Sequence, residues 1–341
     1  MQSRRRNPRV TVLMPVYNGE RYIAEAIESI LGQTFSDFML LIIDDGSTDK
    51  SMEIAKSYQD NRISIVRNNA NLGLVATLNK GIELIESEFV ARMDCDDIAI
   101  PNRLELQIRF LDENPHVGMC GGQYLRISDE GIVISQLPLR HDDILYEMLF
   151  DNVFAHNTIV FRTKILKDFS FRYDPAYRYA EDYELWVRMS RHCRVANIPH
   201  VLVIYRFHED NTSNKFRSEQ EATASRVRLI HRGNLGLPST EYDTVLHKEL
   251  RSLRFSQDME RLIAAGAWLS RLFWIAVRRC RQNLFVIVND YNRMWYSACG
   301  RNAKYGFRVF ILYITKPYGL FGNPFYTAKL IVRCLLRRPI L

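Results

Sequence analysis

The feature that most constrains this chain is that its apolar strand-like runs end, one after another, in acidic or polar residues. Val10-Thr11-Val12-Leu13-Met14-Pro15-Val16 reads as a buried strand and gives way to Tyr17-Asn18. Phe38 to Ile43 ends in Asp44-Asp45-Gly46-Ser47-Thr48-Asp49, and Phe89 to Met93 ends in Asp94-Cys95-Asp96-Asp97. Ile63 to Arg67 is a further short strand. The spacing of apolar residues predicts helices from about Glu20 to Leu31, from the Ser/Asp-rich turn to about Tyr58, and from Leu74 to Ile85. Strand and helix alternate, which argues for an α/β chain with a mostly parallel sheet covered by helices. In open sheets of that kind ligands bind beyond the carboxyl ends of the strands. Several carboxylates gathered there repel one another unless a cation or hydrogen-bond donors sit among them.

With 341 residues, 47% hydrophobic and 25% charged, the chain is long enough for one large domain and an appendage, which sets disordered and fibrous classes aside. The six cysteines are scattered, with neither zinc spacing nor a disulfide framework, so reduced thiols in a cytoplasmic setting are expected. The arginine-rich first nine residues lack the apolar core of a signal peptide.

The net charge of +7 is unevenly placed. From Arg251 to Leu341 there are 16 basic and 3 acidic residues, so the first 250 are net acidic. No basic–aromatic reading motif points to nucleic acid. The tail instead alternates arginines with Trp268, Phe273, Trp274, Phe285, Trp295, Phe307, Phe310 and Phe321, as a peripheral segment on an anionic membrane would. The same aromatics also suit a packed helical subdomain or an oligomer interface. No run reaches the roughly 18 uncharged apolar residues of a spanning helix.

Asp94-Cys95-Asp96 is the motif with the most direct chemistry. Two carboxylates two apart at a strand end can hold a divalent cation across the phosphates of a nucleoside diphosphate, and all-oxygen ligation suits Mn²⁺ or Mg²⁺. Alone, such a pair equally describes a helix cap or a solvated turn. Here it stands fourth in an ordered set: Val12 to Glu20, Ile43 to Asp49, Asn71-Leu72-Gly73, then Met93 to Asp97, followed by Pro101-Asn102-Arg103-Leu104. Together these closely resemble family-2 glycosyltransferases of the GT-A fold, over roughly residues 8 to 215 and most specifically through Leu104.

The resemblance implies roles. Pro15, Tyr17 and Asp45 would line the pocket for the nucleotide base, Tyr17 stacking on the ring and Asp45 accepting from a ring N–H, a pairing that favours uracil or thymine. Asp94 would face the ribose or reach the metal through water, and Asp96 would ligate the metal directly. Glu20 is either a donor contact or a first-turn helix acid. In Tyr179-Ala180-Glu181-Asp182-Tyr183-Glu184-Leu185-Trp186, Asp182 would be the general base of an inverting transfer, with Glu181 orienting it or touching the acceptor. Ala155 to Arg162 resembles the segment on the acceptor side of the cleft, although Asn157 stands where the family usually has Pro; His156 is there a candidate acceptor contact or a structural histidine. In Tyr205 to Ser213, Arg206 and His208 would neutralise diphosphate charge, His208 also as a candidate metal ligand, with a surface ion pair as the plain alternative.

The expectation is therefore a GT-A transferase domain at 1–240, its donor half at about 8–110 and acceptor half at about 111–240, and a basic helical extension at 241–341. Its substrates would be a nucleotide sugar and a glycan or lipid-linked glycan, in a protein peripheral to the inner face of the plasma membrane and either monomeric or oligomeric. Two rivals differ in class. A nucleotidyltransferase would want a lysine-bearing phosphate loop, which Met14 to Gly19 lacks. A non-catalytic sugar- or membrane-binding protein would have no need of Asp45, Asp94, Asp96 and Asp182 together.

Overall fold

The structure, a computed structural model, describes residues 7–128, 131–207, 215–237, 240–279 and 284–340. Contacts divide the chain into two compact units, Met1–Val227 and Arg228–Leu341.

The first unit opens with β1 (Val10–Val16), α1 (Ile23–Leu31), β2 (Phe38–Asp44), α2 (Ser51–Ser57), β3 (Ile63–Arg67), α3 (Leu74–Leu84) and β4 (Phe89–Arg92). β1 lies between β2 and β4, parallel to both, and β3 extends the parallel run beyond β2. β1 is buried along its whole length because both of its faces are covered. Val10, Val12, Met14 and Val16 share a core with Ile23, Ala26, Ile27 and Ile30 of α1. Leu13, one residue out of phase, packs on the opposite face with Leu78 and Ile82 of α3. Gly81 is what lets α3 lie so close, since a Cβ there would overlap the Leu13 side chain. Pro15 is tolerated in this central strand for a specific reason. The Leu13 carbonyl accepts from Met93 N–H on the β4 side, so the missing N–H of Pro15 falls on that same side, past the last residue pair Leu13↔Arg92.

The unit continues through β5 (Ile98–Ala99), α4 (Arg103–Glu113), β6 (Val117–Ser128), β7 (Gly131–Ile134), α5 (His141–Glu147), β8 (Val160–Arg162), α6 (Thr163–Asp168), α7 (Glu181–Met189) and β9 (Arg194–Arg206). The sheet order is β3-β2-β1-β4-β8-β6-β9-β5, with β7 on β6. Past β4 the sheet becomes mixed. β8 runs antiparallel to β4 and β6, β9 parallel to β6, and β5 antiparallel to β9.

The division between units falls within α8 (Arg217–Asn234). The second unit is helical: α9 (Glu241–Arg251), α10 (Met259–Arg279), α11 (Leu284–Arg301), α12 (Phe307–Ile314), α13 (Pro317–Leu320) and α14 (Pro324–Leu336). α9 begins with a capping box between Thr240 and Asp243. Its core is aromatic: Trp268, Tyr291, Trp295, Tyr313 and Tyr318 are all buried. Their polar atoms are paired, Trp268 Nε1 donating to His247 Nδ1 at 3.1 Å and Asn292 Nδ2 donating to both the Tyr313 hydroxyl and the Tyr318 carbonyl. Among the described residues no helix is long and apolar enough to cross a membrane. Cys95, Cys120, Cys193, Cys299 and Cys334 are free thiols.

Candidate active site

The acidic turn after β4 is assembled over buried arginines. Strand polarity brings Arg92 to the last position of β4, where its side chain pairs with Asp94. Burial opposes the guanidinium charge, but Asp94 outweighs it and leaves Arg92 raised above its ordinary range. Directly beneath, Arg103 at the start of α4 donates to the Arg92 carbonyl at 2.7 Å and to Met93 Sδ at 3.0 Å, and burial pushes it down to about 9. Asp94, Asp96 and Asp97 offer carboxylate oxygens that all lie within 4.8 Å of one another.

Burial raises Asp94 despite Arg92. Burial, with the charges of Asp94 and Asp96, also raises Asp97 to about 8. Asp97 accepts from the Asn157 side chain and, at 2.9 Å, from the Arg206 backbone N–H, so it ties β9 and the 155–158 segment to the acidic turn. Cys95 is held as a neutral thiol by burial and the flanking carboxylates, and its Sγ would lie 3.0 Å from any Cβ at Gly19. The residue after Asn18 must therefore be small where the β1 loop meets this turn. Three close carboxylates with only hard oxygen donors fit a divalent cation such as Mg²⁺ or Mn²⁺, with Asp96 and Asp94 on the cavity side and Asp97 behind them.

A cavity of about 410 Å³ connects this turn to the other acidic pair. Asp94, Asp96, His156, Glu181 and Asp182 all line it, with Tyr124, Tyr205 and Asn152 on its walls. Asp182 accepts from Asn152 Nδ2 at 2.8 Å and from Tyr183 N–H at 2.7 Å. Burial raises Asp182, and burial together with Asp182 raises Glu181 to about 7. His156 Nε2 lies 2.8 Å from the Tyr173 hydroxyl, its ring edge-on to Trp186, and burial beside Arg92 depresses it far enough to keep it neutral.

The remaining expected residues lie elsewhere. Tyr17 is half exposed at the end of β1, free to offer a ring face, and Pro15 is buried in the strand behind it. Asp45 is buried, and its carboxylate takes the Asn68 amide and the backbone N–H groups of Leu72 and Gly73 at 2.8 to 2.9 Å. It thereby shapes the Asn71-Leu72-Gly73 loop before α3. Glu20 accepts from Lys50 N–H at 2.9 Å and so caps the start of α2 across the loop. The Arg206 guanidinium pairs with Glu25 and lies over the Tyr22 ring instead of lining the cavity. His208 lies outside the described residues.

The family described as glycosyl transferase family 2 matches residues 11–168. An uncharacterized glycosyltransferase of Haemophilus influenzae is 39% identical over 236 residues, covering 65% of this chain and 72% of its own. The chain belongs to the family 2 glycosyltransferases. The Escherichia coli protein WfgD, a UDP-Glc:alpha-D-GlcNAc-diphosphoundecaprenol beta-1,3-glucosyltransferase, is 30% identical to this glycosyltransferase over 212 residues, 61% of this chain and 81% of that one. In fold, residues 1–349 of S. aureus TarS, solved in complex with UDP-GlcNAc, superpose on 97% of this chain and 90% of that chain with a TM-score of 0.54 at 19% identity. The fold of the glycosyltransferase is GT-A, with a helical C-terminal region.

Sequence reasoning left three parts of this site unassigned: the arginines Arg92 and Arg103, the third carboxylate Asp97, and the amides Asn152 and Asn157. Arg92 carried a signal, being the one charge inside the otherwise apolar run Phe89 to Met93. Asn157 carried another, as the departure from the family's usual Pro, and its side chain is what reaches Asp97.

Proposed function

We propose that this glycosyltransferase transfers a sugar, with inversion, from a nucleoside-diphosphate sugar to a carbohydrate or lipid-linked glycan acceptor in cell-surface polysaccharide assembly. The observation that carries the reading is that one cavity is lined by both acidic pairs, Asp94 with Asp96 and Glu181 with Asp182. An in-line displacement needs charge compensation at the departing diphosphate and a base on the opposite face of the sugar. Asp96, with Asp94 and Asp97, would hold Mn²⁺ or Mg²⁺, which when bound supplies Lewis-acid stabilisation of the departing diphosphate.

Asp182 would accept the proton of the acceptor hydroxyl, its carboxylate aimed by Asn152 and by Tyr183 N–H. Glu181, raised to about 7, and neutral His156 would hold acceptor hydroxyls beside it. Tyr17 would stack on the base. Asp45, which keeps acceptor capacity on Oδ2 beyond its bond from Gly73, would take a ring N–H and favour a uridine nucleotide. The donor half would be about residues 8–110 and the acceptor half about 111–240, with the remainder attached peripherally at the inner face of the plasma membrane. The UDP-sugar and diphosphoundecaprenol in the names of the similar proteins support this substrate class.

The test is nucleotide release measured across UDP-, dTDP- and GDP-sugars with and without Mn²⁺. Metal-dependent release from a UDP-sugar is expected. Absence of release from every sugar, with an acceptor extract present, would remove the reading.

A further inference from the structure

The second unit sorts its large side chains in a way the sequence does not reveal. Trp268, Phe273 and Trp295 are core residues, so they are unavailable to any partner. Exposed apolar side chains occur along the whole unit, among them Ile263, Trp274, Phe307 and Ile311, and are densest from Leu320 to Leu336. On α14, Leu330 and Cys334 face the core, while Phe325, Ala328, Val332, Leu335 and Leu336 are exposed. Their three- and four-residue steps make one continuous stripe along the helix. The turn leading into it carries Leu320 and Phe321, the latter 73% exposed. Phe285, 68% exposed, borders a groove of about 390 Å³ together with Arg293, Asn323, Pro324 and Tyr326 of the same region. A solvated helix presents polar side chains on this side.

The charge around the stripe is mostly of one sign, with Asp290 on the wall of the Phe285 groove as the carboxylate nearby. From Tyr291 to Leu341 there are nine Lys or Arg residues and no Asp or Glu. The Lys329 ammonium sits 4.1 Å from the Phe325 ring centroid, and Arg337 and Arg338 are exposed where the helix ends. Cations thus flank the apolar stripe at its edge and its end.

We infer that the Phe321–Phe325 turn and the outward side of α14 form an insertion surface for an anionic bilayer; this rests on the peripheral membrane attachment proposed above and locates it. Aromatic and aliphatic side chains would enter the headgroup region while Lys329, Arg337 and Arg338 meet lipid phosphates. A second copy of the same face fits less well, because two such surfaces bring Lys329, Arg337 and Arg338 together with Asp290 as the one carboxylate among the described residues lining the adjoining groove.

The experiment is co-sedimentation of the full chain with vesicles of phosphatidylcholine alone or mixed with phosphatidylglycerol, at low and high salt. The wild type is compared with Phe321→Ser/Phe325→Ser, Lys329→Glu/Arg338→Glu, and Trp274→Ser as a control on α10. Every substituted side chain is exposed, and circular dichroism with UDP titration in the same samples checks that folding and the nucleotide site are intact. The expected result is salt-sensitive binding to anionic vesicles only, weakened about tenfold or more by either double substitution and untouched by Trp274→Ser. Indifference of the wild type to anionic vesicles, unchanged binding of the phenylalanine pair, or a vesicle-independent dimer that the pair dissolves would overturn the surface. Loss of UDP binding by the wild type would instead count against the transferase reading and leave this one standing.

Discussion

The two units handle buried polarity in opposite ways. In the helical unit several buried polar side chains are matched within the core: Asn292 serves the Tyr313 hydroxyl and the Tyr318 carbonyl, Trp268 serves His247, and Asn302 Nδ2 serves the carbonyls of Ser256 and Ala298. In the α/β unit one set of polar side chains, Arg92, Asp94, Asn157, Glu181 and Asp182, gathers around a cavity that Asp96 also lines. Matched groups fix helices in place. Carboxylates held close together and raised by burial store electrostatic tension that a ligand or cation can relieve. Substitution in the first kind of cluster should therefore cost stability, and in the second activity.

The largest effect expected is that of Asp96→Asn. Losing one of the two cavity-side carboxylates of the Asp94–Asp96–Asp97 cluster would, if the cluster holds the proposed cation, remove several kcal/mol of stabilisation at the diphosphate, on the order of 10³-fold in turnover. Chelation of the wild type should reproduce it, with little change in melting temperature. Full turnover after either treatment would show that the cluster holds no working cation and would dissolve the contrast between the units.

The opposite pattern is expected of Trp295→Ala. This side chain is wholly buried and its Nε1 donates to the Tyr313 carbonyl at 3.3 Å. Its removal should cost about 3 to 5 kcal/mol of stability, read by calorimetry, while UDP affinity measured well below the transition stays within a few fold. If nucleotide affinity falls in step with stability, the two kinds of cluster are not separable in this molecule.

A third prediction separates binding from chemistry inside the cavity. Asp182→Asn should lower turnover on the order of 10²-fold, the contribution of a general base, and leave donor affinity nearly unchanged. Asp45→Ala should do the reverse, with weaker donor binding foremost, because Asp45 both shapes the Asn71–Gly73 loop and lies beside Tyr17 at the ends of adjacent strands. Collapse of donor affinity in Asp182→Asn would move the residue to the nucleotide side.

What could be read from the sequence follows from where the two kinds of cluster lie. β1, β2 and β4 announce themselves because a strand covered on both faces is apolar along most of its length, and the turns that end β2 and β4 show their acids openly. The mixed half beyond β4 was not legible as such. β5 and β8 are two and three residues long, too short to display a period, and the pairing of β6 with β9 is decided by contacts far apart in sequence. Arg103 was unreadable in a different way. A helix-start arginine ordinarily points to solvent, and only the folded chain shows it buried against Arg92 and Gln107. In the tail, every aromatic looks alike in an arginine-studded run. Burial alone tells Trp268 and Trp295, which pack the unit, from Phe321 and Phe325, which face outward.

The smallest effect expected is also the one that discriminates most finely between the two carboxylates at the start of α7. Burial raises Asp182, and the donors from Tyr183 N–H and Asn152 Nδ2 pull it back down because they favour the ionised form. Glu181, Arg92 and Tyr173 are the other titratable or charged groups gathered around it. Asn152→Ala withdraws one donor from the charged state, so Asp182 should rise further. A base works only when ionised, and the acid limb of turnover should therefore move to higher pH. The bond is worth about 0.5 to 1.5 kcal/mol net, which corresponds to roughly one unit or less. The variant should lag the wild type several fold on the acid limb and approach it at higher pH, where both are ionised. Glu181 receives no side-chain hydrogen bond from Asn152, whose amide is directed to Asp182. If Glu181 were the base, the limb would lie near 7 in the wild type and, because a less ionised Asp182 repels Glu181 less, would move to lower pH in the variant; the direction of the shift in a pH profile of turnover for wild type and Asn152→Ala therefore decides which carboxylate takes the proton.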